Sequence, residues 1–222
     1  MARVCITGAN RGIGLEFCRQ FKARGDEVVA ICRQASPELK ALGLEVIEGV
    51  DVSSEQDVAK LANESAVQKA KIDILINNAG ILRSENLADL DPASIRSQFE
   101  VNSLGPLIVT NALKNNLAVP AKVAIITSRM GSVADNTSGG MYVYRMSKAA
   151  VNMAGVSLAH DLKEQKVAVA ILHPGYVKTD MTNHIGMIEA KESVEGLMAR
   201  IDELTLENSG TFWHTNGEVL PW

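Results

Sequence analysis

Thr7-Gly8-Ala9-Asn10-Arg11-Gly12-Ile13-Gly14 decides how the rest of the chain is read. It lies between an apolar run, Arg3–Thr7, and an amphipathic run, Gly12–Arg24, that carries Ile13, Phe17 and Phe21 at i, i+4 and i+8. Lys22 and Arg24 close that second run and Gly25 stops it. Glycines at a strand-to-helix turn let a phosphate approach backbone N–H groups at the helix N-terminus, where a Cβ would obstruct it. The spacing is G-x-x-x-G-x-G and not the common G-x-G-x-x-G. On this stretch alone, a tight turn without a ligand stays open.

Outward from that turn, short apolar runs alternate with longer amphipathic ones. The strands expected are Arg3–Thr7, Glu27–Ile31, Leu44–Val50, Ile72–Ile76, Ala121–Thr127 and Val167–Leu172, with a weaker seventh at Gly210–Trp213. Most lack polar alternation, as strands buried on both faces do, which is the parallel-sheet case. Between them, Ser53 with Gln56 reads as a capping pair, Asp91-Pro92 as a helix start, and Tyr144–Leu162 as a long helix. The pattern predicts a doubly wound α/β fold of Rossmann type, about seven strands, in one domain over residues 1–222.

Composition narrows the function. The 222 residues carry 22 Lys plus Arg against 26 Asp plus Glu, a net charge of −4, which gives no electrostatic motive for a nucleic-acid or anionic membrane surface. No apolar run is long enough to span a bilayer, and Met1-Ala2-Arg3-Val4 enters the first strand with no signal peptide ahead of it. Cys5, Cys18 and Cys32 are an odd number without C-x-x-C, the thiol usage of a reducing cytoplasm. The four histidines lack metal-ligand spacing, and there is no G-x-S-x-G elbow.

Unusual residues follow the strands: Gly8, Cys32-Arg33, Asp51, Asn77-Asn78, Ser128 and His173-Pro174-Gly175. In open α/β sheets ligands bind outside the carboxyl ends of the strands, so these groups gather on one edge. Asp51 suits an adenine amino group or a helix cap. Asn78-Ala79-Gly80 suits a ribose or an Asx turn. Tyr144 and Lys148, at i and i+4, share a helical face. A nearby ammonium lowers a phenol pKa and fits it for acid–base work, although a chance surface pair reads the same way. Ser128 or Ser132 could donate to a substrate oxygen, or simply cap a turn. Ile95–Leu113 reads as helix with Pro106 inside it. Proline cannot donate to the Asn102 carbonyl, so a kink is expected there, freeing an acceptor for a water.

Together these motifs resemble the short-chain dehydrogenase/reductase family: T-G-x-x-x-G-x-G from Thr7, N-N-A-G from Asn77, Asn102 in V-N-S-L-G, Ser128, Y-x-x-x-K from Tyr144, and P-G-x-x-x-T from Pro174 to Thr179. Within it, Ser128–Ser132, Gly139–Arg145 and Leu220–Trp222 look like the C-factor and sniffer-type carbonyl reductase branch. The resemblance implies the strand order 3-2-1-4-5-6-7 and hydride transfer between NADP(H) and a small carbonyl or alcohol substrate. It implies Tyr144 as acid–base, Lys148 as its modulator and ribose ligand, Ser128 as substrate-oxygen donor and Asn102 as anchor of a relay water. Cofactor contacts are implied for Gly8, Asn10, Arg11, Gly12, Ile13, Gly14, Arg33, Asp51, Val52, Asn78, Ala79, Gly80, Pro174, Gly175, Val177 and Thr179. Arg33 and Arg11 would flank the ribose phosphate, with Cys32 where NAD enzymes carry an acid. A homodimer or homotetramer is implied by analogy. The alternative is a nucleotide-binding developmental signal of the C-factor kind on the same fold. Two features depart from the family: sixteen positions separate Ser128 from Tyr144, owing to Asp135–Gly140, and only Asp180–Leu206 is available as a lid.

Overall fold

The computed structural model describes residues 1–222. Its seven strands are β1 (Arg3–Thr7), β2 (Glu27–Ile31), β3 (Glu45–Ile47), β4 (Ile72–Asn77), β5 (Leu117–Ile126), β6 (Val167–His173) and β7 (Phe212–His214). They form one sheet in the order β3-β2-β1-β4-β5-β6-β7, every pairing parallel. The expected order and fold class therefore hold. The third strand is shorter than Leu44–Val50: Gly49, at φ 80°, breaks the regular ladder after Ile47, although Gly49 and Val50 still donate to the carbonyls of Arg33 and Cys32 beyond β2.

Helices cover both faces: α1 (Gly12–Arg24), α2 (Pro37–Lys40), α3 (Glu55–Leu61), α4 (Ser65–Gln68), α5 (Pro92–Phe99), α6 (Gly105–Leu113), α7 (Tyr142–Asp161) and α8 (Ala190–Asp202). Strand periodicity sorts the core into two layers. Val4 and Ile6 point to the α1/α8 side, with Phe17, Phe21 and Leu197; Cys5 points to the α6/α7 side, with Val109, Leu113 and Val151. Burying each of the two phenylalanines contributes about 1.5–3 kcal/mol.

Three local expectations change. The cap of α3 is Ser54, not Ser53: the Asp57 N–H donates to its hydroxyl at 3.2 Å, whereas Ser53 turns back to Asp51. The stretch around Pro106 does not simply kink. Glu100–Leu104 forms a π-helical turn between α5 and α6, in which the Gly105 N–H donates to the Glu100 carbonyl. One extra residue per turn absorbs the missing proline donor and keeps the helix continuous. The Asp180–Leu206 segment divides: a 3-10 turn at Asp180–Thr182 leads into a loop to Glu189, but α8 is a core helix with Val194, Leu197 and Ile201 fully buried.

Candidate active site

Strand order reverses between β1 and β4, and the glycine turn after β1 meets Asn78-Ala79 after β4 there. A cavity of about 890 Å³ opens at this edge. It is lined by Gly8, Asn10, Arg11, Gly12, Ile13 and Gly14 from the glycine turn, and by Arg33, Asp51 and Val52 beyond β2 and β3. Asn78, Ala79 and Gly80 follow β4; Tyr144 and Lys148 come from α7; Pro174 and Thr179 follow β6. Gly175 and Val177 are not among its walls. Val177 is buried and bridges to Ile188, bracing the loop that carries Thr179. Cys32, expected beside the ribose phosphate, is also a wall residue, whereas sequence reasoning missed Ile81, Asp180 and Met181. Apolar side chains leave no chemical signature in a motif, and Asp180 lies just beyond the P-G-x-x-x-T stretch.

The donor set fits a dinucleotide phosphate. The first turn of α1 has no acidic residue, and a methyl on Gly12 would meet only the Thr179 side chain, no nearer than 3.4 Å. That helix N-terminus is open to an anion. Gly14 is different: a Cβ there would run into the Gly8 carbonyl, so this glycine serves helix–strand packing. The Asn78 amide is spent on the turn itself, donating to the carbonyls of Thr7 at 3.0 Å and Gly8 at 3.2 Å. Thr7 completes the knot by accepting from the Asn78 N–H at 3.0 Å.

Asp51 Oδ1 accepts from the Ser53 amide at 2.9 Å and hydroxyl at 2.6 Å. Burial opposes its charge, but Ser53 and Arg33 together hold the carboxyl below its ordinary pKa. Arg33 lies 3.9 Å from Asp51 and Arg11 lies 3.4 Å from Asp180, each guanidinium largely exposed. Both arginines thus reach the cavity with a carboxylate nearby.

Tyr144 is buried beneath the same edge. Burial pushes its phenol up to about 12, and Ser128 is close enough to oppose that shift. Lys148 lies one helical turn further along α7. Its Nζ sits 5.7 Å from the phenol ring centroid and donates to the Ile126 carbonyl at 3.0 Å, while burial lowers it to about 8. In this environment desolvation dominates and keeps the phenol protonated, with the Lys148 ammonium held close by. Ser128 Oγ accepts from the Met130 N–H at 3.1 Å. That bond leaves the hydroxyl proton to point elsewhere. Gly131 lets this turn lie against α7: a Cβ there would be 2.7 Å from the Lys148 main chain.

Asn102 lies behind the wall, 1% exposed. Its Oδ1 accepts from the Ile81 N–H at 2.8 Å, and its Nδ2 donates to the Ile81 carbonyl at 2.9 Å and to Ser147 Oγ at 3.0 Å. The Ser147 hydroxyl donates in turn to the Tyr144 carbonyl at 2.9 Å. This side chain is a clamp between the loop after β4 and α7, so a relay water would fall to its main chain. Ser147 carried no signal in sequence because the link crosses three elements.

A second cavity, about 670 Å³, lies at the opposite sheet edge around Arg24, Lys122 and Asp202, away from these groups. No helix is long and apolar enough to cross a membrane.

The short chain dehydrogenase family model matches residues 2–189. A 1-hydroxy-2-glutathionyl-2-methyl-3-butene dehydrogenase from Rhodococcus sp. (strain AD45) is 42% identical over 226 residues, covering 100% of both chains. C-signal from Myxococcus xanthus is 46% identical over 154 residues, 68% of this chain and 93% of that one. An NADPH-bound carbonyl reductase from chicken fatty liver superposes with a TM-score of 0.90 at 28% identity, covering 100% of this chain and 99% of that one. The carbonyl reductase Sniffer of D. melanogaster gives 0.92 at 26%, covering 100% of each.

Proposed function

Because the chain belongs to the short-chain dehydrogenase family, we propose that it is an NADP(H)-dependent oxidoreductase that reduces aldehydes or ketones, with Tyr144 as the proton donor. The observation that carries this reading is the buried Tyr144 phenol beside Ser128, at the end of the glycine-turn cavity and above Lys148. The bound nicotinamide would supply the hydride. The N-terminus of α1 would hold the pyrophosphate, Asp51 and Val52 the adenine end, and Arg33 with Arg11 the ribose phosphate. Gly8, Asn10, Gly12, Ile13, Gly14, Asn78, Ala79, Gly80, Pro174 and Thr179 would form the remaining cofactor contacts, with Lys148 on the nicotinamide ribose. Gly175 and Val177 would support Thr179 from below.

The protein's own part is proton and charge management. A phenol held near pKa 12 is fully protonated at neutral pH and is a donor in waiting. Ser128, fixed by Met130, offers its hydroxyl to the oxygen as negative charge builds on it. The ammonium of Lys148 is the buried cation against which a transient phenolate is stabilised.

The catalytic set separates this reading from a C-signal-like role as a nucleotide-binding signal. A pure binding module has no physical need for a buried Tyr144 phenol beside Ser128 and Lys148, whereas the Asn102 clamp serves either role. Loss of NADPH absorbance with a panel of simple aldehydes, ketones and quinones decides it. The reverse reaction of a glutathionyl alcohol belongs in the panel, given the substrate named for the Rhodococcus relative. Cofactor binding without turnover on any member would favour the signalling role.

The buried, free Cys5, Cys18 and Cys32 support a cytoplasmic setting. Leu104 at the end of the π turn, Leu107 on α6, and Met146 and Met153 on α7 are exposed apolar side chains, which supports a homodimer or homotetramer. Sedimentation of wild type and Met153→Glu checks it: a monomeric wild type overturns the assembly.

A further inference from the structure

The wall opposite the catalytic hydroxyls hangs on one guanidinium. The connector 132–141 leaves the Ser128 turn at one end and enters α7 just before Tyr144 at the other. The connector thus links the two segments that carry the Ser128 and Tyr144 hydroxyls. Arg129, next to Ser128, pairs through Nε with Asp135 of this connector at 2.9 Å. Its Nη2 reaches Glu218, in the turn after β7, at 3.2 Å. That turn is well built: the His214 N–H donates to the Glu218 carbonyl at 2.8 Å, and the Glu218 N–H donates to Asn216 Oδ1 at 2.9 Å. The connector meets the same region again, where the Ala134 N–H donates to the Trp222 carbonyl at 2.8 Å.

The Ser128 turn is therefore fixed from within by Gly131 against α7, and from outside by Arg129. A single half-exposed ion pair contributes little. Here one guanidinium spans two separate segments, with Nη2 donating to both Glu218 carboxylate oxygens, at 3.3 and 3.2 Å, and Nε in ion-pair contact with Asp135; a lysine's single ammonium is one point and does not span both. None of Arg129, Asp135 and Glu218 lines the cofactor cavity.

We propose that Arg129 is a positioning residue for the carbonyl substrate: it aims the Ser128 hydroxyl and holds the connector 132–141 as the substrate wall, setting which carbonyls are accepted without affecting cofactor binding. The proposal rests on the reductase reading above. Its test compares wild type, Arg129→Met, Arg129→Lys, the Asp135→Asn/Glu218→Gln double variant and the triple variant that adds Arg129→Met to it. The readouts are kcat and KM for a small aldehyde and a bulky aryl ketone, and the NADPH Kd. Arg129→Met is expected to lower kcat/KM by about tenfold and to change the ratio between the two carbonyls, as the loss of a coupled network does. NADPH Kd stays at the wild-type value, and Arg129→Lys recovers only part of the loss. Adding the carboxylate changes to Arg129→Met gives no further loss. Unchanged carbonyl kinetics, a parallel loss of NADPH affinity, or full additivity would overturn it.

Hydrogen exchange over 132–141 reads the same linkage without turnover. Exchange there quickens in Arg129→Met and in the double variant, while a Tyr144→Phe control keeps the wild-type rate. Unchanged exchange in both linkage variants sinks the proposal, whether or not the wild type reduces any carbonyl. Absence of turnover by the wild type sinks only the reductase reading.

Discussion

Tyr144 is where a single environment sets the chemistry. Burial, opposed by Ser128, raises its phenol to about 12, so the acid form persists across neutral pH. Carbonyl reduction needs that acid form and alcohol oxidation needs the phenolate. Reduction is therefore expected to stay level through neutral pH and to fall only at strongly alkaline pH, whereas oxidation climbs with pH. Tyr144→Phe should cut turnover by roughly a hundred- to ten-thousandfold while NADPH still binds. A variant near the wild-type rate, or oxidation fastest below neutral pH, would remove Tyr144 from the role. Arg33 poses a subtler case. Its side chain is 73% exposed and already faces Asp51 at 3.9 Å, so a phosphate must compete with water and a carboxylate for it. Arg33→Ala should weaken NADPH by about tenfold and leave NADH nearly unchanged, which is below the full strength of a buried charge-assisted bond. Adding Cys32→Asp should move preference toward NADH. Equal loss of both cofactors, measured as kcat/KM, would show the phosphate lies elsewhere.

The π turn Glu100–Leu104 is the informative element. Pro106 announces a break in the sequence, but its form depends on what surrounds it. The Asn102 side chain grips Ile81 and Ser147, while the Thr110 hydroxyl donates to the Pro106 carbonyl at 2.7 Å and accepts from Asn77 at 3.0 Å. Anchored on both sides, the helix widens by one residue and runs on into α6. Pro106→Ala supplies an N–H that can claim the Asn102 carbonyl. A fall of about tenfold in kcat, an altered pH profile and little change in Tm are expected, since only part of the proton-transfer contribution is touched. If rate and pH profile both match wild type, that carbonyl takes no part in proton relay. Elements whose signals are local were legible: α1 begins and ends at the expected residues, and Asp91 caps α5 by accepting from the Ala93 and Ser94 amides. The cap of α3 was missed by one residue because two adjacent serines offer the same hydroxyl, and Asp51 takes the first.

At the scale of the molecule, the two faces of the sheet carry the stability and one edge carries the chemistry. His173 and His214 end neighbouring strands on that edge, their rings edge-to-face at 4.9 Å. Burial, with His214 and Arg129 nearby, lowers His173 from an ordinary 6.5 to about 3. The folded state keeps this imidazole neutral while the unfolded chain protonates it. Its contribution is thus present above the ordinary histidine pKa and is lost progressively as pH falls from about 6.5 toward about 3. Thermal melts across that range should show a steep acid limb for wild type and a shallower one for His173→Asn. Parallel limbs would mean that His173 titrates normally in the folded protein.

What the sequence determined by itself was the fold class, the strand count and the edge on which the chemistry gathers. Apolar runs, glycine turns and strand-end polar residues are local signals, and parallel-sheet geometry converts them into a common edge. Tertiary structure alone decided the rest. It spent Asn78 and Asn102 on holding loops, gave Tyr144 its high pKa through burial, and turned Lys148 to the Ile126 carbonyl. It also joined Arg129 to carboxylates six and eighty-nine positions away. Desolvation and hydrogen-bond partners depend on which segments meet in space, and no spacing within one segment records that meeting.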